Sequence, residues 1–437
     1  MKVMKFGGRS LGSPEKMKQV LSIITSNNDP VVVVLSALGG TSQNLREVAD
    51  SLQNNRISFT KKIVKKIENY YRDFINGVLQ NNELKSKTLA DMDEHFSFLN
   101  FLTKLSYSDA LCKDILSQGE LISTLLLSAC LSEANLNHKV LPALDFMQAD
   151  KLGEPLIGNI KVKLTQMMKA YPETKLFITQ GSLCRNARGE VDNLSVGGSD
   201  YTASAIAAAM GASICEIWTD IPTVHNNDPT FVHDTKPVEN LTFDEAAELA
   251  YFGEKVLHPA SVWPARHYNI PVRLLNTQQP DSLGTLIQNL AETTGPKVIA
   301  ARDKITVVNI KSSRMLMAFG FLEKIVSVFE QFHTSIDMVT TSEIAVSVTI
   351  DNTEHIEEIA KNLENYGVVS VEENQTLITI VGNQLIKSPQ VMTQVFDAVA
   401  GIPLKMASYG ASLHNISLLI SDLNKEEALT KLHKALF

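Results

Sequence analysis

The chain has 437 residues, of which 44% are hydrophobic and 20% charged, a composition typical of a globular protein with several domains. Its net charge is −8 without a long basic run, which argues against a nucleic-acid partner bound through a basic face. Its four cysteines have no CxxC spacing and its apolar runs are too short to cross a bilayer, so we expect a cytoplasmic protein with reduced thiols and no membrane association.

Two glycine turns open the chain, each at the end of a predicted strand. Residues 2–6 form the first strand, and Gly7 and Gly8 lead from it towards a helix. Residues 31–35 are typical of a strand buried on both faces, and a second glycine turn follows over 36–42. Because ligands of open α/β sheets bind at this edge, both turns are candidate ligand sites. Neither a Walker motif nor GxGxxG supports a phosphate site.

The next part of the chain is predicted to be helical. Residues 58–106 have a polar, lysine-rich face that we expect to be solvated. A further helical run over 121–129 follows Ser117-Gln-Gly-Glu120, which predicts Glu120 in the first turn of that helix, where the helix dipole favours a carboxylate.

A third glycine turn precedes an alanine-rich helix. Gly197 and Gly198 lack a side chain, so the backbone there can approach a ligand closely. Ser199 and Asp200 favour an N-cap, and residues 203–209 favour a helix. Such a turn presents free N–H groups to an anion, although a tight turn with a simple cap would give the same pattern.

Short strands and helices alternate along the rest of residues 1–290: strands are predicted at 175–179, 214–219 and 271–275, and helices at 242–252 and 260–268. This alternation predicts an α/β sandwich with a mainly parallel sheet. Residues 291–304 are predicted to be a linker. From 305 to 437 the pattern approximates βαββαβ written twice, over about 305–373 and 374–437, in succession or intertwined. Repeats of this kind are usually binding or regulatory modules.

Five polar residues fall at predicted strand ends or turns: Lys5, Glu120, Asp200, Asp220 and Lys255. They contain no nucleophile–base pair, and no His/Cys/Asp group has metal-ligand spacing. Two lysines, glycine turns and a helix N-terminus suit phosphoryl transfer, which needs mainly positioning and charge neutralisation. The residues themselves therefore favour an ATP-dependent phosphotransferase.

Six segments occur in the order found in aspartate kinases of the amino-acid kinase family: Lys5-Phe-Gly-Gly8, Gln118-Gly-Glu-Leu121, Gly197-Gly-Ser-Asp-Tyr201, Trp218-Thr-Asp220, Asp228-Pro229 and Phe252-Gly-Glu-Lys-Val-Leu-His-Pro259. The chain resembles that family over essentially its whole length. The C-terminal repeat is similar to the paired ACT domains of the lysine-sensitive type, including Gly320-Phe-Leu322, Thr340-Thr-Ser-Glu343 and Tyr409-Gly-Ala-Ser412. The resemblance implies a three-layer amino-acid-kinase sandwich followed by two ferredoxin-like ACT domains.

The resemblance also implies transfer of the γ-phosphoryl group of ATP, with Mg²⁺, to the β-carboxylate of aspartate, the first step of lysine, threonine and methionine biosynthesis. It assigns catalytic roles to Lys5, Asp200 and Lys255, substrate contacts to Glu120, Ser199 and Thr41, and nucleotide contacts to Gly7, Gly8, Gly39, Gly197, Gly198, Thr219, Asp220, His225 and Lys255. In these roles Lys5 neutralises the phosphoryl group, Asp200 holds Lys5, and Glu120 pairs with the substrate ammonium. We expect no protein metal ligand, because Mg²⁺ rides mainly on the phosphates.

Four positions depart from the family pattern: Arg9 and His225 stand where a threonine and a tyrosine are usual, and Val196 and Thr230 stand where arginines are usual. The arginine missing at Val196 is expected to grip the α-carboxylate of aspartate, which valine cannot do. We expect Arg9, on the neighbouring glycine turn, to replace it as a substrate contact. Two alternatives stay open, namely a related kinase for another small acid and a degenerate domain that senses an amino acid or regulates a partner.

For the ACT pair, the resemblance implies a lysine effector bound between ACT domains across a homodimer or higher homo-oligomer. The matching positions are Met315, Phe321, Leu322, Asp337, Thr341, Ser342 and Glu343. Asp337 and Glu343 suit an ammonium ligand, whereas Ala318 stands where a serine is usual. Ordinary strand ends and surface acids would give the same pattern.

Overall fold

The computed structural model describes residues 1–26, 29–194, 197–220, 224–251, 257–290, 293–312 and 319–437. Contacts within the chain divide it into two units: residues 1–224, 239–243 and 256–290 form the first, and residues 225–238, 244–255 and 291–437 form the second. Segments 225–238 and 244–255 therefore belong with the C-terminal unit rather than with the first 290 residues. Within that unit Asn227 Nδ2 donates to Leu429 O over 3.0 Å, and Lys297 Nζ lies 3.0 Å from Glu245 Oε2.

The described strands of the first unit are β1 (Lys2–Phe6), β2 (Val31–Leu35), β3 (His138–Val140), β4 (Leu176–Gln180), β5 (Leu183–Arg185), β6 (Val191–Asn193), β7 (Ile214–Thr219), β8 (Asn240–Thr242), β9 (Val272–Asn276) and β10 (Thr285–Gln288). β5 and β6 pair as a separate hairpin. The others form one sheet in the order β3-β4-β2-β1-β7-β9-β10-β8, parallel except between β9 and β10. The predicted, mainly parallel α/β sheet is confirmed.

Its helices are α1 (Pro14–Thr25), α2 (Thr41–Gln53), α3 (Ile57–Val78), α4 (Asn82–Leu102), α5 (Asp109–Glu133), α6 (Ala143–Phe146), α7 (Ile157–Lys169), α8 (Gly198–Met210) and α10 (Trp263–His267), while α9 (Phe243–Tyr251) enters the second unit at Asp244. Two 3-10 helices, Gly8–Leu11 and Pro259–Val262, complete the set within the described residues.

Helices cover both faces of the sheet, as strand alternation requires. Met4, Phe6 and Val33 point into the core formed with α1–α5. Lys5, which alternates with them, points to the other face, where α8 packs on β1. The alanines of α8 are buried, so this helix lies close to the strands.

Helix α5 differs from its prediction. It begins at Asp109, capped by the Ser108 hydroxyl, so Glu120 lies at its middle and not in a first turn. The residues before Ser117 continue the same helix, because Leu111 and Ile115 carry its apolar face onwards. By length and composition α5 is the described helix that could cross a membrane, but 72% of its most apolar window is buried inside the fold, as in a core helix.

The second unit is an antiparallel sheet with helices. Its described strands are β11 (Gly295–Lys311), β12 (Val339–Thr341), β13 (Ala345–Ile350), β14 (Val368–Asn383), β15 (Met406–Tyr409) and β16 (Asn415–Ser421), in the order β12-β13-β11-β14-β16-β15, and its further helices are α11 (Phe321–Gln331), α12 (Ile356–Leu363), α13 (Pro389–Ala398) and α14 (Lys425–Leu436).

The two ACT repeats are intertwined through β11 and β14. Residues 295–302 of β11 pair with 377–383 of β14, beside β16, whereas residues 306–311 pair with β13 and residues 307–311 pair with 368–372 of β14. A strand therefore occupies most of the segment that the composition predicted as a linker. Its residues Val298, Ile299 and Ala300 are buried, which is why this stretch pairs in the sheet.

Candidate active site

The carboxyl ends of four neighbouring strands lie at one edge of the first sheet. Phe6 of β1 is in register with Leu35 of β2 and Trp218 of β7, and Leu35 is in register with Gln180 of β4. The turns that follow these strands are therefore brought together, as the sequence predicted for a site at this edge.

Lys5 and Asp200 meet beside these turns. Lys5 Nζ lies 2.6 Å from Asp200 Oδ1, and Lys5 is only 8% exposed. Helix α8 begins at Gly198 with Gly197 as its N-cap, so neither Ser199 nor Asp200 caps it. The Asp200 side chain is free to pair with Lys5, and its place in the first turn of α8 stabilises the carboxylate through the helix dipole.

Two glycines of the site are fixed by their surroundings. A Cβ atom built on Gly8 would lie 2.2 Å from the Ala37 carbonyl oxygen, so the first two glycine turns touch where only glycine fits. Gly197 has a φ of +65°, a left-handed conformation that favours glycine. The turn at Gly39 packs against the first turn, since a Cβ on Gly39 would lie 3.3 Å from Gly8 O. Gly7 donates its N–H to Trp218 O.

A cleft of about 1310 Å³ opens at this edge between α2, α5, the β5–β6 hairpin and the N-terminus of α8. Of the predicted site residues, Glu120, Gly197, Gly198 and Ser199 line it. Three serines that sequence reasoning missed, Ser36, Ser42 and Ser182, line it too. Ser36 Oγ lies 2.6 Å from Ser199 Oγ, so these hydroxyls form a pair at the cleft wall. The position of Ser36 directly after β2 was the available signal.

Glu120 is the buried acid of this cleft. It is 8% exposed, and burial raises its pKa to about 8, an effect that backbone hydrogen bonds at Glu120 and Ala37 offset only in part. The Glu120 carboxyl group is therefore mostly neutral at pH 7. A cationic ligand group would favour its ionised form.

Thr41 does not have its predicted place in the cleft. It is 2% exposed, and its Oγ1 lies 3.0 Å from the hydroxyl of Tyr71, a fully buried residue of α3. The next residue, Ser42, lines the cleft instead. The first turn of α2 rotates Thr41 towards the core, which a turn motif alone does not reveal.

Arg9 also departs from its prediction. Its Nε lies 3.4 Å from Asp220 Oδ1, its side chain is 70% exposed, and it is absent from the described lining of the cleft. Lys16 approaches the same carboxylate at 3.9 Å. Arg9 therefore pairs with a predicted nucleotide-binding residue at the end of β7, and the structure does not support its role as the substrate's carboxylate grip. Thr219, beside Asp220, accepts the Thr277 N–H at its carbonyl oxygen.

Some predicted residues lie elsewhere. Lys255, Val196 and Met315 lie outside the described residues, so their roles stay predictions. His225 belongs to the second unit, where its Nδ1 lies 3.0 Å from Thr235 Oγ1.

The predicted effector residues lie in the first ACT repeat. Phe321, at the start of α11, is buried, whereas Leu322, Thr341, Ser342 and Glu343 are exposed. The Asp337 side chain is 3% exposed and lies 3.4 Å from Arg302 Nη1. The Asp337 carboxylate therefore has a cationic partner in this unit. Of the two acidic residues predicted to bind the effector, Glu343, in the turn between β12 and β13, is the more exposed.

The first unit thus combines an anion-binding edge with a buried acid. Close-packed glycine turns, a helix N-terminus and the Lys5 ammonium suit phosphate groups, and Glu120 suits a cation. Within the described residues, no group of three His, Cys, Asp or Glu side chains could hold a metal ion.

Comparisons with known proteins agree with this architecture. Residues 1–276 match the model of the amino acid kinase family, and residues 378–436 match an ACT domain. Lysine-sensitive aspartokinase 3 of Escherichia coli is 32% identical over 447 residues, covering 100% of this chain and 99% of that protein.

Two solved structures extend the comparison. E. coli aspartokinase III in complex with lysine and aspartate (T-state) superposes with a TM-score of 0.88 at 31% identity, covering 100% of this chain and 99% of that one. The same enzyme with aspartate and ADP (R-state) gives a TM-score of 0.80 at 31% identity, covering 100% of both chains. With its sheet, its cleft and these matches, the chain belongs to the amino acid kinase family, and within it to the aspartokinases.

Proposed function

We propose that this chain is an aspartate kinase that transfers the γ-phosphoryl group of ATP to the β-carboxylate of L-aspartate. The observation that carries the proposal is the approach of Lys5 to Asp200 at the N-terminus of α8, next to Ser199, which shares a cleft with Glu120. One end of this arrangement suits phosphate and the other suits an amino acid's ammonium group.

The acceptor needs no general base, because a carboxylate is already an anion at neutral pH. The chain's task is to bring two anions together. Lys5 offsets the charge of the phosphoryl group, and Asp200 fixes the position of the Lys5 ammonium. Backbone N–H groups at the start of α8 add positive potential. Glu120 binds the substrate ammonium, and the Ser36–Ser199 pair can donate a hydrogen bond to the acceptor carboxylate.

Mg²⁺ is expected with the nucleotide. We expect the ion to be held mainly by phosphate oxygens and water rather than by a protein cage. When bound, it would supply charge neutralisation on the phosphates.

Two alternative functions are a kinase for another small acid and an amino-acid sensor without catalysis. The buried Lys5–Asp200 pair argues against a pure sensor, since an ammonium group kept at this edge has its clearest use on a transferring phosphoryl group. The feature that most favours a kinase for another acid is Val196, which stands where the family usually has an arginine.

Regulation by lysine through the ACT pair is part of the proposal. Supporting it are the intertwined ACT sheet, the exposed β12–β13 turn and a relative described as lysine-sensitive. We also propose a homodimer through the ACT repeats. If millimolar lysine changes neither activity nor thermal midpoint, lysine is not the effector.

Hydroxylamine trapping of the acyl phosphate tests the proposed reaction. The protein is incubated with ATP, Mg²⁺ and either L-aspartate or one of a panel of small acids, and hydroxamates are quantified. We expect aspartyl hydroxamate in excess over every other product. A hydroxamate formed only from another acid would identify that acid as the acceptor. If no acid gives a product, the non-catalytic amino-acid sensor is the remaining function.

A further inference from the structure

None of the residues assigned so far pairs with the α-carboxylate of the substrate. Aspartate has one ammonium and two carboxylates. Glu120 lines the cleft and suits the ammonium, and Lys5, beside Asp200 at the sheet edge, is assigned to the phosphoryl group. The α-carboxylate needs a further cation, because burying an unpaired carboxylate is costly. Val196 is apolar, and Arg9 pairs with Asp220.

Four cationic side chains line the described part of the cleft: Arg46, Lys113, Lys151 and Arg188. Lys113 Nζ lies 2.8 Å from Asp192 Oδ2, so its charge is balanced by the β5–β6 hairpin. Arg188 lies 3.8 Å from Glu190 at the tip of that hairpin and is 82% exposed. Arg46 and Lys151 have no ion-pair partner within the described residues.

Arg46 is placed by helix geometry on the same wall as a substrate-side hydroxyl. It follows Ser42 by four residues on α2, so both side chains lie on one helix face, and both line the cleft. Lys151 instead lies in a turn before α7 and not on α2 or α5.

The packing of α2 against α5 brings Arg46 towards Glu120. A Cβ on Gly119 of α5 would lie 3.2 Å from Leu45 and 3.5 Å from Thr41 of α2, so the two helices touch there. Arg46 and Glu120 are the next residues along each helix, and both face the cleft. Cys112 of α5 lines the cleft as well, so Arg46 lies on the side of α2 that faces the cleft wall formed by α5.

We propose that Arg46 binds the α-carboxylate of the amino-acid substrate, in place of the arginine that Val196 has lost. This inference rests on the proposed function of the cleft. The Arg46 guanidinium, one helical turn from Ser42, can donate two hydrogen bonds to the α-carboxylate while the substrate ammonium pairs with Glu120. Arg46 and Glu120 together then favour an α-amino acid over an acid that lacks the α-carboxylate. They also orient the acceptor carboxylate towards Lys5.

Steady-state kinetics of Arg46→Met tests the assignment, with Lys151→Met as the control for a second cation on the cleft. We expect Arg46→Met to raise KM for aspartate about ten- to hundredfold, with KM for ATP unchanged. Lys151→Met should leave both within about twofold. Because the Arg46 side chain is exposed, the thermal midpoint of the Arg46→Met variant should match that of the wild type.

Two further measurements separate binding from an indirect effect. β-Alanine has the ammonium and the acceptor carboxylate but lacks the α-carboxylate, so Arg46→Met should leave its inhibition constant unchanged. Adding Val196→Arg to Arg46→Met should restore KM for aspartate towards the wild-type value.

An unchanged KM in Arg46→Met, in a wild type that phosphorylates aspartate, would overturn the assignment while the proposed function stands. If only Lys151→Met raises KM for aspartate, Lys151 and not Arg46 binds the α-carboxylate. If the wild type forms no aspartyl phosphate, the proposed function fails, and aspartate dissociation constants of the same variants, measured by calorimetry, decide the role of Arg46.

Discussion

The Lys5 ammonium lies 2.6 Å from the Asp200 carboxylate, joining the first strand of the chain to the first turn of a helix almost two hundred residues later. This contact exists because β1 is parallel to β2 and β7, and α8 packs on the face to which Lys5 points. It fixes a positive charge at the sheet edge.

Replacing Lys5 by methionine should lower kcat by about 10² to 10³, because the phosphoryl group loses a preorganised charge. Lys2→Met is the matched control: Lys2 lies at the other end of β1 and pairs with Glu216 at 3.4 Å. Initial rates of ADP release at saturating substrates measure both. A Lys5→Met enzyme that keeps a tenth or more of its kcat would remove Lys5 from the reaction.

Aspartate binding should release a proton from Glu120. With a pKa of about 8, this carboxyl group is about nine-tenths protonated at pH 7, and the substrate ammonium favours its ionised form. Apparent affinity should therefore rise with pH up to about 8 and then level off.

Calorimetry in two buffers of different ionisation enthalpy measures that release. We expect close to one proton released at pH 7 in the wild type and none from this site in Glu120→Gln, which should also bind aspartate more weakly. Binding heats independent of the buffer would show that Glu120 is already ionised.

Gly8→Ala should destabilise the protein and reduce activity together. The added methyl group would meet the Ala37 carbonyl oxygen at 2.2 Å, so the two glycine turns must separate, at a cost of about 1–3 kcal/mol. Gly158→Ala, in α7, meets nothing within 4 Å and should be neutral or stabilising by up to about 1 kcal/mol. Urea midpoints and aspartate-dependent rates follow both. Equal midpoints in the two variants would refute the close packing of these turns.

Tyr71→Phe should cost about 1–3 kcal/mol of folding free energy, because it leaves the buried Thr41 hydroxyl without the Tyr71 hydroxyl. Thr41→Val is its partner variant. If the two hydroxyls form a direct bond, the double variant should lose less stability than the sum of the single variants. Strict additivity in urea unfolding would mean that the hydroxyls do not interact.

Cys112 should report occupancy of the cleft. It is half-buried at the cleft wall, whereas Cys130, Cys184 and Cys215 are buried. Because burial raises the pKa of the Cys112 thiol, iodoacetamide should label it faster as the pH increases. Saturating aspartate should slow that labelling, as followed by mass spectrometry, with Cys112→Ser as the unlabelled control. Labelling at the same rate with and without aspartate would place the substrate away from α5.

Local patterns predicted the strand ends and glycine turns well, because buried β-branched runs and glycine pairs are local signals. Lys5, Asp200, Glu120 and Ser199 were predicted as site residues from these patterns together with the family resemblance. The middle position of Glu120 in α5 was missed, since a helix already under way looks like a new start after Ser117-Gln-Gly.

Side-chain directions within turns were beyond sequence reasoning. Thr41 and Ser42 are adjacent and chemically alike, and only the rotation of α2 against Tyr71 decides which one faces the cleft. Arg9 was expected in the cleft because it neighbours Gly8, but Asp220 attracts it along the sheet edge. Long strands shared by two repeats also escape local patterns, which is why part of β11 was predicted as a linker.

The regiochemistry of the trapped product tests the central claim most directly. Tandem mass spectrometry of the hydroxamate formed from aspartate and ATP distinguishes the two carboxyl groups. An arrangement with Glu120 on the ammonium and Lys5 at the acceptor predicts β-aspartyl hydroxamate, formed one-to-one with ADP. The α-isomer, or no aspartyl hydroxamate at all, would contradict it.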